Sequence, residues 1–407
     1  MFTSNLFKEL NLLVGITGGI AAYKVPEYIR FFVKSGAAVR TMMSDAGKQF
    51  VTPLTLETLT GFPVEQAIFP QTAGFSGTHH IAVADWATMA AVLPATANII
   101  AKYSQGLADD IVSTILLAIP PEKVMMAPAM NVHMWQNPAV QANVNRLKGY
   151  GVEICPPEYG FLAEGYEGVG RLANLDHLVQ ATYKVLHPTR NTLNGKTVLI
   201  TAGRTEEPLD PVRVLTNRSS GKMGFALAWE AAARGADVIL VHGPVGLTLP
   251  YNVVGIEVRT AEEMFRKVNE YFPQVDIFLS AAAVADYRPR QQAASKIKKK
   301  GKELTLRLEP TPDILKTMGQ RKKTDQIIVG FAVETENLER NARKKLREKN
   351  LDLIVANNPQ ENGAGFGVDT NRVTLITASG EIHHLELMPK LDVAREIFNA
   401  LARLSDK

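Results

Sequence analysis

Three segments in the first half of the chain carry side chains that could do chemistry. Gly15–Lys24 reads GITGGIAAYK, with glycines and a hydroxyl between a strand-like and a helix-like stretch. Small residues let backbone approach a phosphate, and a helix start supplies free N–H groups. The segment is not a G-x-G-x-x-G fingerprint, and Ser44 and Asp45 stand where such a site carries its acid. Two readings stay open here, a phosphate or flavin loop and a tight strand–helix turn. PATAN (Pro94–Asn98) and PAMNVHMW (Pro128–Trp135) each follow a buried-strand candidate. Loops at the ends of consecutive parallel strands converge on one crevice. His80 suits proton handling near neutrality or a structural role. His79, His80 and His133 lack a metal-ligand spacing.

The second half has its own set. Thr201–Gly224 is dense in Gly, Ser, Arg and Asn, but its SGK lacks the rest of a phosphate-binding P-loop. Ser280–Pro289 (SAAAVADYRP) offers small residues for close ligand approach, with Asp286 either cation- or ribose-facing or a turn residue. Thr311–Leu315 opens a helix, Gly330–Thr335 ends a strand, and Lys345 and Lys349 lie a turn apart on one helix. Arg288–Lys302 contains SKIKKKGK, which reads as a solvated basic loop, a weak nucleic-acid patch, or a mobile loop closing on a polyphosphate.

These segments need two frameworks. A chain of 407 residues exceeds a single core of ~250–300 residues, so two domains are expected. Strand-like runs at Leu12–Ile16, Ala38–Met43, Met89–Leu93 and Val124–Ala127 alternate with helices at Ala21–Lys34, Ala97–Ile119 and Pro138–Tyr150. A second series has strands at Thr197–Thr201, Asp237–Val241, Asp276–Ala282, Ile327–Phe331 and Leu353–Ala356. Its helices are Lys222–Arg234, Ala261–Tyr271 and Asn337–Lys349. Such alternation predicts parallel sheets covered on both faces. The polar stretch HPTRNTLNGK marks a linker, giving domains 1–186 and 196–407 around residues 187–195.

Composition narrows the partners. A net charge of +4 fits anionic small molecules as well as it fits nucleic acid, but aromatics at 7% are too few and scattered for base-stacking platforms, so no nucleic acid is expected. A single cysteine, Cys155, permits no intrachain disulfide and points to a reducing compartment. Neither a secretory leader nor an apolar run of ~20 residues is recognisable, so no membrane is expected and the location is read as cytoplasmic.

GITGGIAAYK, HIAVADWA, PATANIIAKYSQGLADD and PAMNVHMW, in that order, resemble the flavin-dependent cysteine decarboxylase family from Leu12 to about Leu175. The resemblance implies a flavodoxin-like Rossmann sandwich binding FMN, with Gly18, Gly19, Ser44, Pro94, Ala95, Thr96 and Asn98 against the cofactor. It implies His80 as the essential histidine, Asn131 as the grip on the substrate carboxylate, and Met134 beside the substrate. In this chemistry the flavin oxidises the C–SH to a thioaldehyde, the electron sink for loss of CO2. One position departs from the pattern. LAEGYEGVGR places Glu164 where the family's flap carries the cysteine that helps complete the reduction. Glu164 or a water could donate the proton, though a carboxyl with an ordinary pKa of ~4.3 would need burial to do so. Otherwise the reaction stops at the enethiol, or the domain is impaired. Retained activity is the expectation.

RTEEPLDPVR, TNRSSGKMG, AAVADYRP, KIKK and VGFAVET resemble the CTP-dependent phosphopantothenate–cysteine ligases from Lys196 to about Thr377. That resemblance implies a second, Rossmann-like α/β domain. It implies attack of the 4′-phosphopantothenate carboxylate on CTP, then displacement of CMP by the amine of L-cysteine. Asn217 would act on the acyl-cytidylate with Arg213 beside it. Asp286, Lys296, Thr311, Pro312, Asp313, Ile314, Phe331, Lys345 and Lys349 would contact CTP. Two unit charges about 4 Å apart repel by about 4 kcal/mol at an effective dielectric near 20, so a closing Lys296 loop and Mg2+ or Mn2+ are expected. Both families on one chain is the arrangement of the bifunctional enzymes of coenzyme A biosynthesis, whose second half makes 4′-phosphopantothenoylcysteine and whose first half decarboxylates it. The resemblance also implies a homo-oligomer, a trimer-based dodecamer in the decarboxylase part and a dimer in the ligase part. The rival expectations are a ligase on an impaired FMN-binding scaffold and a non-enzymatic flavoprotein.

Overall fold

The structure, a computed structural model, describes residues 2–69, 78–299, 301, 303–365 and 367–405. The chain forms two compact units. One is Asn5–Pro188; the other takes in the segment ending at Ser4 together with Thr189–Lys407.

The first unit is built on β1 (Asn11–Ile16), β2 (Ala38–Met43), β3 (Met89–Ala95), β4 (Val124–Pro128) and β5 (Glu153–Ile154). They lie in the order β2-β1-β3-β4-β5, and every pairing is parallel. β3 and β4 are buried along their whole length, as strands covered on both faces must be. Leu13, Met42, Val92 and Met126 face one core with Ile99, Ile100, Val112, Ile115 and Leu147 of the covering helices. Tyr28 and Phe32 of helix Val25–Lys34 and Val179 and Tyr183 of helix Leu175–Leu186 are also buried, and Tyr28 bonds Thr182 between these helices at 2.6 Å.

The single helix expected over Ala97–Ile119 is instead two, Ala97–Gln105 and Ile111–Leu117. Gly106 in the left-handed region (φ 73°) ends the first, and an Asp110–Ser113 capping box starts the second. Apolar periodicity runs through both and hides the break. After β5, the ribbon of β6 (Glu158–Phe161) and β7 (Glu167–Arg171) carries Glu164 in its turn.

The second unit contains β8 (Thr197–Ala202), β9 (Glu206–Pro208), β10 (Val214–Thr216), β11 (Asp237–His242), β12 (Val253–Glu257), β13 (Ile277–Ser280), β14 (Tyr287–Pro289), β15 (Leu308–Pro310), β16 (Ile327–Val333), β17 (Leu353–Asn357), β18 (Thr370–Thr377) and β19 (Ile382–Pro389). Its main sheet runs β12-β11-β8-β13-β16-β17-β18-β19. Pairing is parallel up to β17; β18 and β19 add antiparallel strands. Strand order reverses between β8 and β13, which sets a switch point there. β9 with β10 and β14 with β15 form small antiparallel ribbons beside it.

Candidate active sites

In the first unit the carboxyl ends of β1 to β4 open on a cavity of about 990 Å3. The reversal of strand order lies between β1 and β3, the place where open α/β sheets bind ligands. Gly18, Gly19, Ser44, Thr96 and Asn98 line the cavity, as do Asn131, Met134 and Glu164. Pro94 and Ala95 do not; they are buried within β3. Pro94 acts through its carbonyl, which accepts the Thr17 hydroxyl at 2.6 Å, while Thr17 Oγ1 accepts the Thr96 N–H at 3.2 Å. These bonds tie the loops after β1 and β3 together. A Cβ on Gly18 would sit 2.4 Å from Ala46 Cβ, so glycine there lets the loop after β2 close in. The cavity also has an apolar wall, with Ile20, Met130 and Leu172. A flat ring system with a phosphate tail fits this mixture of apolar wall, hydroxyls and helix start.

Asn131 is held by its own backbone. Its Oδ1 accepts the His133 N–H at 2.8 Å and so caps helix Val132–Gln136. That fixes Nδ2 toward the β6–β7 ribbon, where it donates to Glu164 Oε1 at 2.9 Å and to the Tyr166 hydroxyl. The ribbon lies close because β7 alternates glycines. Met130 N donates to Gly170 O at 3.0 Å, and a Cβ on Gly170 would fall 2.1 Å from Met130 O. Glu164 is exposed, and the Asn131 amide holds its carboxyl below the usual carboxylate range. Burial, which a neutral proton donor needs, is thus not provided, and Glu164 is an ionised carboxylate at pH 7.

His80 is not among the residues lining the cavity. It sits in the first turn of helix His79–Trp86, with Nδ1 buried and without a hydrogen-bond partner among the described residues. Its neighbour His79 anchors that turn through Glu65 at 2.6 Å, and Glu65 also holds Arg40 at 2.6 Å.

In the second unit the loops after β8 and β13 are stitched together. Ala283 N donates to Gly203 O at 2.8 Å and Ala285 N to Thr205 Oγ1 at 3.0 Å. Asn217, just after β10, donates to Ala283 O and Val284 O at 3.1 and 3.2 Å. Asp286 is exposed, and its carbonyl accepts the Thr311 N–H at 3.0 Å. Pro312 is half-buried. Asp313 caps helix Ile314–Arg321 and pairs with Lys349 at 2.9 Å. Ile314 is buried in the core, which leaves only its backbone for a ligand. Phe331 is half-buried on β16, and Lys345 pairs with Glu334 at 2.6 Å. Lys296 is exposed and makes no ion pair among the described residues, while Arg213 reaches the carbonyl of Ile297 at 3.0 Å. Lys300 and Lys302 of the basic run lie outside the described residues. Among the described residues no group of three or more His, Cys, Asp or Glu is placed to hold a metal. A Mg2+ ion held mainly by substrate phosphates needs no such cage.

Sequence reasoning passed over Tyr166 and Asp210. The Asp-Pro pair at 210–211 is a turn signal, which in retrospect marks Asp210. Tyr166 carried no signal beyond its place on the flap.

Fold and sites define a flavoprotein-type α/β unit followed by a second α/β unit with its own ligand crevice. The Flavoprotein family matches residues 3–187, and the DNA/pantothenate metabolism flavoprotein C-terminal domain matches residues 193–404. Over 402 residues, 98% of each chain, this one is 45% identical to the coenzyme A biosynthesis bifunctional protein CoaBC of Bacillus subtilis. Over 374 residues, 91% of each chain, it is 44% identical to the CoaBC of Escherichia coli K12. Among solved structures, the C-terminal domain of a CoaBC is 44% identical, with a TM-score of 0.46, covering 53% of this chain and all of that one. The FMN-dependent cysteine decarboxylase SpaF is 30% identical, with a TM-score of 0.36, covering 43% of this chain and 98% of that one. The chain belongs to the family of bifunctional coenzyme A biosynthesis proteins.

No helix among the described residues is long and apolar enough to cross a membrane.

Proposed function

We propose that this chain catalyses two consecutive steps of coenzyme A biosynthesis. Residues 196–407 couple L-cysteine to 4′-phosphopantothenate at the expense of CTP. Residues 1–186 then decarboxylate 4′-phosphopantothenoylcysteine to 4′-phosphopantetheine with FMN. The observation that carries the decarboxylase half is the Asn131 amide, which already holds a carboxylate inside a flavodoxin-type cavity. The full-length likeness to bifunctional relatives supports both activities and does not favour a ligase alone.

Bound FMN would lie against Gly18, Gly19, Ser44, Thr96 and Asn98 and supply the oxidation of the thiol-bearing carbon that makes loss of CO2 feasible. Asn131 would hold the leaving carboxylate, with Met134 against the substrate. His80 would handle a proton, the role an imidazole can play near neutrality. In the ligase, Lys296 and a divalent cation would offset the repulsion between two anions, and Asn217 would act on the acyl-cytidylate.

The chain supplied with 4′-phosphopantothenate, cysteine, CTP, Mg2+ and FMN should yield a product, weighed by mass spectrometry, lighter than the amide by CO2 alone. Loss of two further hydrogens would mean arrest at the enethiol. Accumulated amide would confine the function to ligation.

The chain is also proposed to work in the cytoplasm as a homo-oligomer, dodecameric through trimers in the first half and dimeric in the second. Ile20, Tyr23 and Phe161, each more than half exposed on the cavity lining, support assembly there. A monomer by native mass measurement would refute it.

A further inference from the structure

The turn between β9 and β10 is built on a buried carboxylate. The Asp210 side chain has no exposed surface. Its Oδ1 accepts the N–H groups of Val212 and Arg213, both at 2.8 Å, the local pattern an Asp-Pro turn favours. Its Oδ2 does something the turn does not require: it accepts the N–H of Ile297 at 3.0 Å, from the basic loop far along the chain. Arg213 Nη1 donates to the carbonyl of the same Ile297 at 3.0 Å. One loop residue is thus held at both ends of its backbone. A further bond, Ala293 N to Leu209 O at 3.0 Å, runs beside it.

Ile297 directly follows Lys296. On the other side, Arg213 leads through β10 into Asn217, which is fixed on the loop after β13. A buried carboxylate is costly unless N–H groups and a cation compensate it. Here the compensation comes from the two segments that carry Lys296 and Asn217. The Ile297 N–H, foremost among these contacts, keeps the Asp210 carboxyl below its usual range, so the contact stays charged at neutral pH.

We infer that Asp210 is a positioning residue of the ligase, latching the Lys296 segment to the strand that presents Asn217 so that cation and amide face one acyl-cytidylate. The inference rests on the reading of Lys296 and Asn217 as ligase residues given above.

The test is Asp210→Asn in the full chain. The amide cannot offer acceptors to both sets of N–H groups, so the Ile297 bond is lost. Ligation should show KM for CTP raised about ten-fold and kcat lowered about ten-fold, together the order expected when a reacting group is misplaced by about 1 Å. Trypsin should cut after Lys296 or Lys298 faster than in the parent. Decarboxylation of supplied 4′-phosphopantothenoylcysteine, on the same chain, should stay unchanged and report on folding. Unchanged KM, kcat and proteolysis would overturn the inference. Should both activities vanish through misfolding, Ile297→Pro decides: it removes the N–H, leaves Asp210 intact, and must lower ligation alone. Wild-type ligation by that variant overturns the latch. The double variant should be no worse than the worse single one, because both cut one contact. If Lys296→Ala leaves ligation intact, the reading of Lys296 fails, while the proteolysis of Asp210→Asn still shows whether the loop is latched.

Discussion

Lys296→Ala lowers ligation by about 10²–10³-fold in kcat/KM while decarboxylation on the same chain stays intact, the loss typical of removing one preorganised donor from developing charge. Lys345 and Lys349 already pair with Glu334 and Asp313, at 2.6 and 2.9 Å. Lys296 is exposed and unpaired among the described residues, so its whole charge is available to an incoming anion. Alanine at Lys345 or Lys349 should therefore cost less, since each ammonium is already partly neutralised by its carboxylate partner and offers less net charge to an anion. Lys296→Arg should recover part of the rate, because charge is kept but a point donor becomes a planar fork. Steady-state ligation assays on the four variants check the order. Equal losses at all three positions would remove the special role of Lys296.

Much of this was legible in the residues. Strand runs such as Met89–Leu93 and Ile327–Phe331 are short and apolar without alternation, as strands covered on both faces read. The glycine and hydroxyl loops then fell at the carboxyl ends of those strands. What escaped has physical reasons. β19 is half exposed along its length and offers no run to find. The break at Gly106 was masked by apolar spacing continuing across it. The depth of His80, which is not among the residues lining the cavity, is not readable from sequence order, which carries no direction for a side chain. Asp210 looked like an ordinary turn residue, since its telling partner, Ile297, is remote in sequence.

Asn131→Ala is the second large effect: decarboxylation falls by about 10²–10³-fold with ligation and flavin content unchanged. The amide that holds Glu164 at 2.9 Å is the group proposed to hold the substrate carboxylate, and alanine offers neither bond. Glu164 makes the prediction sharper. Its carboxylate occupies the Asn131 amide, so an arriving substrate carboxylate must displace it. Glu164→Ala should then lower KM for 4′-phosphopantothenoylcysteine by a few-fold, the scale of one exposed charge-assisted hydrogen bond. Affinity for the decarboxylated product, which has no carboxylate to compete, should not move. Combining the two substitutions should abolish the gain, because without Asn131 there is nothing to compete for. CO2 release measured across a range of substrate concentrations and product binding by calorimetry separate these effects. A fully active Asn131→Ala variant would refute the carboxylate grip. A Glu164→Ala variant that tightens product and substrate alike would show the flap to act through bulk rather than through its charge.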